Sequence, residues 1–120
     1  MIVFWTAGGY ISSMERTDIQ RSVRQVVEQV VRLAKPTRVI LFGSAAKGHA
    51  GSDSDLDFLV IVPDERDVRE VTDRLNVGVR SRPMPCDFIV VTAGTLMKHH
   101  RTPGMIYGEV LEQGREVYVG

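Results

Sequence analysis

Apolar residues fall on one helical face in the first third of the chain. Between residues 18 and 34 their spacing is typical of a helix with one buried side. The positions are Ile19, Val23, Val26, Val27, Val30 and Leu33. Thr17 and Gln20 have the spacing of a capping box, and Pro36 cannot continue a helix. The pattern predicts a first helix that begins near Thr17 and ends near Ala34.

Short apolar runs bounded by turn residues predict four strands. They cover residues 38–42, 56–62, 86–92 and 115–119. The second run, LDFLVIV, contains one charged residue and is otherwise apolar, which is typical of a strand covered on both faces.

Three further helices are predicted between and after these strands. Residues 65–79 again show helical spacing, with Asp64 as the expected N-cap. Thr92 is the expected cap of a short helix that runs through Met97, and a last helix covers residues 103–112. This order of elements predicts an α/β (α+β) domain, with helices packed on a small sheet.

The length and composition fit one soluble domain. The chain has 120 residues, of which 43% are hydrophobic and 25% charged. Met14 begins an ordinary N-terminal sequence, so we assign residues 14–120 to the domain. Residues 1–13 are interpreted as an N-terminal extension, a flexible arm or a contact in a homo-oligomer.

Charge and cysteine content narrow the possible partners. Basic and acidic residues number 15 each, which argues against a protein that grips long nucleic acid through a broad basic face. A nucleotide remains possible, because a metal ion can supply positive charge. Cys86 is the single cysteine and is expected to be buried or half-buried; its isolation fits a cytoplasmic protein. No apolar run approaches the roughly 18 residues that a membrane span needs.

The candidate chemistry lies where acidic residues lead into apolar strands. Asp55 and Asp57 flank Leu56 and project to the same face, about 6–7 Å apart along the strand. Asp87 lies near the start of the third strand, and a helical crossover usually joins parallel neighbours. If the second and third strands pair, the three carboxylates meet at one end of the sheet. They could then bind divalent cations, and Asp87 could accept a proton from an incoming hydroxyl.

Two alternatives accompany this interpretation. An Asp at a strand start is often an ordinary loop or cap residue, and this remains open for each of these residues taken singly. A calcium loop would use Asp53, Asp55 and Asp57, but it needs Gly at its sixth position and Glu at its twelfth. Phe58 and Asp64 occupy those positions, so the calcium loop is disfavoured.

A Gly-Ser turn follows the first strand. Gly43 permits close approach of the backbone to a phosphate, Ser44 adds a hydroxyl, and Lys47 can reach a phosphate as a point charge. Taken alone, the Gly-Ser pair is more often a simple turn.

Together these residues resemble the polymerase-β-like nucleotidyltransferase superfamily, and more narrowly its minimal nucleotidyltransferase (MNT) domains. The resemblance extends over residues 14–119 and is carried by the pattern GSxAxG…SDxD. The matching positions are Gly43, Ser44, Ala46, Gly48, Ser54, Asp55 and Asp57. Lys47 departs from the pattern, since Arg is common there; it keeps the charge but loses the bidentate fork.

The resemblance implies the nucleotidyltransferase fold, a small mixed sheet flanked by helices. It also implies a substrate, a cofactor and a partner. Mg²⁺, as two ions, would be held by Asp55, Asp57 and Asp87. The phosphates of ATP would lie over Gly43 and Ser44, with Lys47 and Ser54 as further nucleotide contacts. AMP would pass to an acceptor, as in domains of this kind that serve as antitoxins and modify a helical HEPN partner protein.

Two other functions remain in view. The chain could neutralise a partner by contact alone, with Ile106, Val110 and Leu111 as a docking stripe, although burial in the core explains the same stripe. A small-molecule nucleotidyltransferase is less favoured, because such enzymes normally carry an extra domain.

Overall fold

The computed structural model describes residues 13–43, 55–80 and 85–120, with side chains from Gln20 onward within these ranges. Ser44, Lys47 and Ser54 lie outside the described residues, as do residues 1–12 of the proposed extension. In chain order the elements are α1 (Ser13–Ala34), β1 (Arg38–Phe42), β2 (Leu56–Val62), α2 (Val68–Gly78), β3 (Cys86–Thr92), α3 (Ala93–His99), α4 (Tyr107–Gln113) and β4 (Arg115–Val119).

The strands form one mixed sheet in the order β3-β2-β1-β4. β2 and β3 are parallel and are joined through α2, whereas β1 is antiparallel to both β2 and β4. The four predicted strands are confirmed with their bounds, and so is the predicted α+β class with helices on a small mixed sheet.

Helices cover both faces of this sheet. α1 and α2 pack on one face, around a core that includes Val27, Leu41, Phe58 and Leu75. α3 and α4 pack on the other, around a smaller cluster of buried side chains: Ile40, Leu59, Ile61, Val91, Leu96 and Val110. β2 lies between the two layers, which explains why its sequence is almost continuously apolar.

The starts of three helices differ from the sequence prediction. α1 begins at Ser13, so Thr17 lies inside the helix and is not its N-cap. α2 begins after Asp67, whose carboxylate accepts hydrogen bonds from the backbone N–H groups of Arg69 and Glu70 at 3.0 and 3.2 Å. α4 begins at Tyr107, later than the predicted residue 103.

Asp64 has a different partner from the predicted one. The backbone N–H of Gly94 donates to Asp64 Oδ1 at 2.6 Å, which connects the loop after β2 to the first turn of α3. The predicted cap at Thr92 is correct, because the backbone N–H of Thr95 donates to its hydroxyl at 3.2 Å. Asp64 therefore makes a tertiary hydrogen bond in place of the predicted cap, whereas Thr92 makes the predicted local cap.

The expected docking stripe is mostly core. Val110 is buried and Leu111 packs against the α3–α4 side of the sheet, which leaves Ile106 as the exposed member. Cys86 is half-buried, as predicted. None of the described helices combines the length and apolar character needed to cross a membrane.

The cap of α2 generates a stability prediction. Asp67→Ala removes the acceptor of two N-terminal N–H groups and should lower the free energy of unfolding by about 1 kcal/mol. Asp73→Ala, at an exposed position of the same helix, should change it by less than about 0.5 kcal/mol. Urea denaturation of both variants measures the difference, and equal losses would contradict the assigned cap.

Candidate active site

A row of three side chains crosses the sheet at one end. In the register of the parallel pair, Asp57 of β2 lies opposite Asp87 of β3. In the antiparallel pair, Phe42 of β1 lies opposite the same Asp57. The row Phe42–Asp57–Asp87 therefore lies where β1 ends and where β2 and β3 begin.

All three side chains of this row point to the face that α3 and α4 cover. Residues two apart on a strand share a face, so Asp57 projects with Leu59, and Asp87 projects with Ile89. Leu59 and Ile89 belong to the α3–α4 cluster, as does Phe42. Leu56 and Phe58, on either side of Asp57, are buried in the opposite layer.

The acidic residues differ in their exposure. Asp57 is half-buried, whereas Asp87 and Asp55, the residue two places before Asp57, are exposed. Burial raises the pKa of the Asp57 carboxyl above its ordinary value, and the negative charges of Asp87 and Asp55 raise this pKa further. The charges of Asp55 and Asp87 therefore act on the Asp57 carboxyl at a single rim of the sheet.

Gly43 lies directly against the Asp57 carboxylate. It has a φ of +79°, and a Cβ at this position would come within 2.6 Å of Asp57 Oδ2. Both features favour glycine, because other residues rarely adopt this φ and a Cβ would displace the carboxylate. The sequence pattern indicated phosphate approach at Gly43 but gave no sign of this contact with Asp57.

The carboxylates alone do not form a closed metal cage. Among the described residues, no three Asp, Glu, His or Cys side chains are grouped closely enough to hold a metal ion unaided. Mg²⁺ commonly uses one or two carboxylates and completes its shell with water and substrate phosphates. The oxygen donors and the mutual repulsion at Asp57 fit an ion that is shared with a phosphorylated substrate.

A small cleft continues the row beyond Phe42. It measures about 80 Å³ and is lined by Phe42, Gly43, Ile106, Glu109, Val110 and Gln113. The four residues of the α4 region have the spacing of one helical face. The apolar stripe predicted from the sequence shares only Ile106 and Val110 with this face. Glu109 and Gln113 were missed because nothing in the local pattern links α4 to β1.

The family of the chain follows from comparison with known proteins. A family model described as a nucleotidyltransferase domain matches residues 23–115, a range that runs from α1 to the start of β4 and contains Gly43 and all three acids. The chain therefore belongs to the nucleotidyltransferase domain family.

A solved structure has the same fold. This chain superimposes on the crystal structure of a provisionally assigned nucleotidyltransferase from Sulfolobus solfataricus with a TM-score of 0.60. The two sequences are 20% identical, and the match covers 91% of this chain and 90% of the other. At this identity the likeness establishes the fold. A comparison with curated protein sequences gives no match.

The contact between Gly43 and Asp57 can be tested against a matched glycine. Gly104 also has a positive φ, +84°, but no atom lies within 4 Å of a Cβ built there. Alanine at either position should cost about 1–2 kcal/mol of backbone strain. Only Gly43→Ala should also shift the titration of the Asp57 carboxyl, measured by carbon-13 NMR. A similar shift in Gly104→Ala, or none in Gly43→Ala, would disprove the contact.

The raised pKa of Asp57 predicts a pH-dependent stability difference. Its carboxyl ionises more readily in the unfolded chain, so its charge opposes folding once the pH exceeds 3.8. Without divalent cations, Asp57→Asn should melt at a higher temperature than the wild type near about pH 7. The difference in melting temperature between the two proteins should narrow as the pH falls through the raised pKa of Asp57 toward 3.8. Thermal melts across this range test the sign, with Asp73→Asn as control; a wild type that is the more stable at neutral pH would refute it.

Proposed function

We propose that this chain is an Mg²⁺-dependent nucleotidyltransferase that transfers AMP from ATP to a hydroxyl group of a partner protein. One observation carries the proposal: Asp57 and Asp87 lie in register at the sheet rim, with Asp55 in electrostatic reach. Membership of the nucleotidyltransferase domain family supports transfer of a nucleoside monophosphate.

Each acidic residue is assigned a role from its place at the rim. Asp55 and Asp57 are the proposed ligands of Mg²⁺, and Asp87 is the third carboxylate. Bound Mg²⁺ would neutralise the triphosphate and stabilise the charge that develops during phosphoryl displacement. The triphosphate would lie over Gly43, where no side chain obstructs it, with Ser44, Lys47 and Ser54 as further proposed contacts.

The transfer is an in-line displacement at the α-phosphorus. The acceptor oxygen forms a bond to this phosphorus, the bond from it to the oxygen bridging the α- and β-phosphorus atoms breaks, and pyrophosphate leaves. The proton of the acceptor hydroxyl passes to the Asp87 carboxylate, which is exposed and so accessible to a large acceptor. The half-buried Asp57 is less suited to meet that acceptor directly.

The acceptor is proposed from the resemblance to MNT domains. It would be a helical HEPN-type protein acting as a toxin, with this chain as its cytoplasmic antitoxin. AMP added to a hydroxyl of the partner would place a bulky anionic group on it.

Label transfer tests the reaction. With Mg²⁺ and a co-encoded helical partner, ATP labelled at the α-phosphate should label the partner, while ATP labelled at the γ-phosphate should not. Asp57→Asn should lower the rate about a hundredfold or more, because it removes charge stabilisation at the transferred phosphate. Asp73→Asn, at an exposed position of α2 on the opposite face of the sheet, should transfer at the wild-type rate.

Other results would favour other functions. Transfer that is unchanged in Asp57→Asn would refute the site, and label from the γ-phosphate would indicate a kinase. If Asp55→Ala/Asp57→Ala still neutralised the partner fully, contact alone would explain the antitoxin activity.

A further inference from the structure

The cleft between β1 and α4 begins at Gly43, beside the row Phe42–Asp57–Asp87. Gly43 lines the cleft and also lies against Asp57. In a nucleotide only the ribose separates the base from the α-phosphate. A nucleotide whose α-phosphate lies at Asp57 would therefore place its base within reach of this cleft, and this inference rests on the proposed function.

The shape and lining of the cleft suit part of a planar ring. Phe42 and Ile106 supply the accessible apolar surface, and Ile106 remains 39% exposed, which leaves it available for contact. The third apolar lining residue, Val110, is buried. At about 80 Å³ the cleft is smaller than the cavity of about 150 Å³ that encloses benzene in an engineered protein. A base would thus rest one face or edge on the apolar wall and leave the rest in solvent.

The polar lining residues oppose phosphate and favour an amine. Glu109 places a negative charge at the cleft, which repels the triphosphate toward the Gly43 side. Its carboxylate accepts hydrogen bonds, so it matches an exocyclic amino group. Gln113 offers both an acceptor and a donor, the combination that pairs with the amino group and ring nitrogen of adenine.

We propose that Glu109 and Gln113 select the nucleobase of the substrate, and that the cleft takes a base with an exocyclic amino group, adenine above all. Hypoxanthine has the same ring system with a carbonyl oxygen in place of that amino group. Its oxygen would face the Glu109 carboxylate without a proton between them. The cleft therefore discriminates against inosine nucleotides.

Binding measurements separate the base from the phosphates. Dissociation constants for ATP, ITP and inorganic triphosphate are determined by calorimetry with Mg²⁺ and no acceptor. The wild type should bind ATP about three- to tenfold more tightly than ITP, the size expected of one or two partly exposed hydrogen bonds. Glu109→Ala/Gln113→Ala should bring this ratio close to one without weakening the binding of inorganic triphosphate.

Two control variants complete the design. Glu112→Ala changes an exposed glutamate of the same helix that does not line the cleft, and it should keep the ATP preference. Alanine is the best helix former, so each of these variants should preserve α4. Asp57→Asn should weaken the binding of all three ligands, which tests the proposed function and not the cleft.

The outcomes are distinguishable. Equal binding of ATP and ITP by the wild type would overturn the base assignment, and so would an ATP preference that survives in the double variant. Tight binding of inorganic triphosphate in the same experiment would still support the proposed function. If the double variant kept the ratio of ATP to ITP affinity but transferred AMP to the partner more slowly, the cleft would be a binding site for the acceptor. This result would also overturn the base assignment. Failure to bind any of the three ligands would remove both proposals.

Discussion

The in-register parallel pairing of β2 and β3 is the constraint on which the candidate site depends. It places Asp57 opposite Asp87 at the edge of an apolar sheet, where the two negative charges and that of Asp55 raise the free energy of the folded chain. Burial and like charge both favour protonation of Asp57, so the arrangement is relieved by a cation or by a proton. A site that is stabilised by added positive charge is well suited to a phosphorylated substrate that binds together with a metal ion.

Packing on both faces of β2 maintains this register. Leu56 and Phe58 are fully buried against α1 and α2, while Leu59 and Ile61 are buried against α3 and α4. A slip of one residue would exchange these faces and would turn Asp57 into the larger core. The apolar residues that stabilise the domain therefore also determine where the carboxylates point.

β1 connects the carboxylates of Asp57 and Asp87 to the cleft. Phe42 lies beside Asp57 in the sheet, and Gly43 carries the chain past the carboxylate in a conformation that only glycine adopts easily. α4 then approaches from the far end of the chain, so that Glu109 and Gln113 face the same short segment. The proposed phosphate contact at Gly43 and the proposed base selection by Glu109 and Gln113 thus lie beside each other.

The sequence by itself determined the strands, the class of fold and the resemblance to a nucleotidyltransferase. Alternation and apolar runs are local signals, and the bounds of all four strands followed from them. Helix starts followed less well from the local pattern. α1 begins before Thr17, and Asp64 accepts a hydrogen bond from Gly94 while Asp67 caps α2. Only the tertiary structure decided that β2 and β3 are neighbours, that Gly43 touches Asp57, and that α4 lines a cleft beside them. These contacts join residues far apart in the chain, and their free energy comes from packing that no local pattern records.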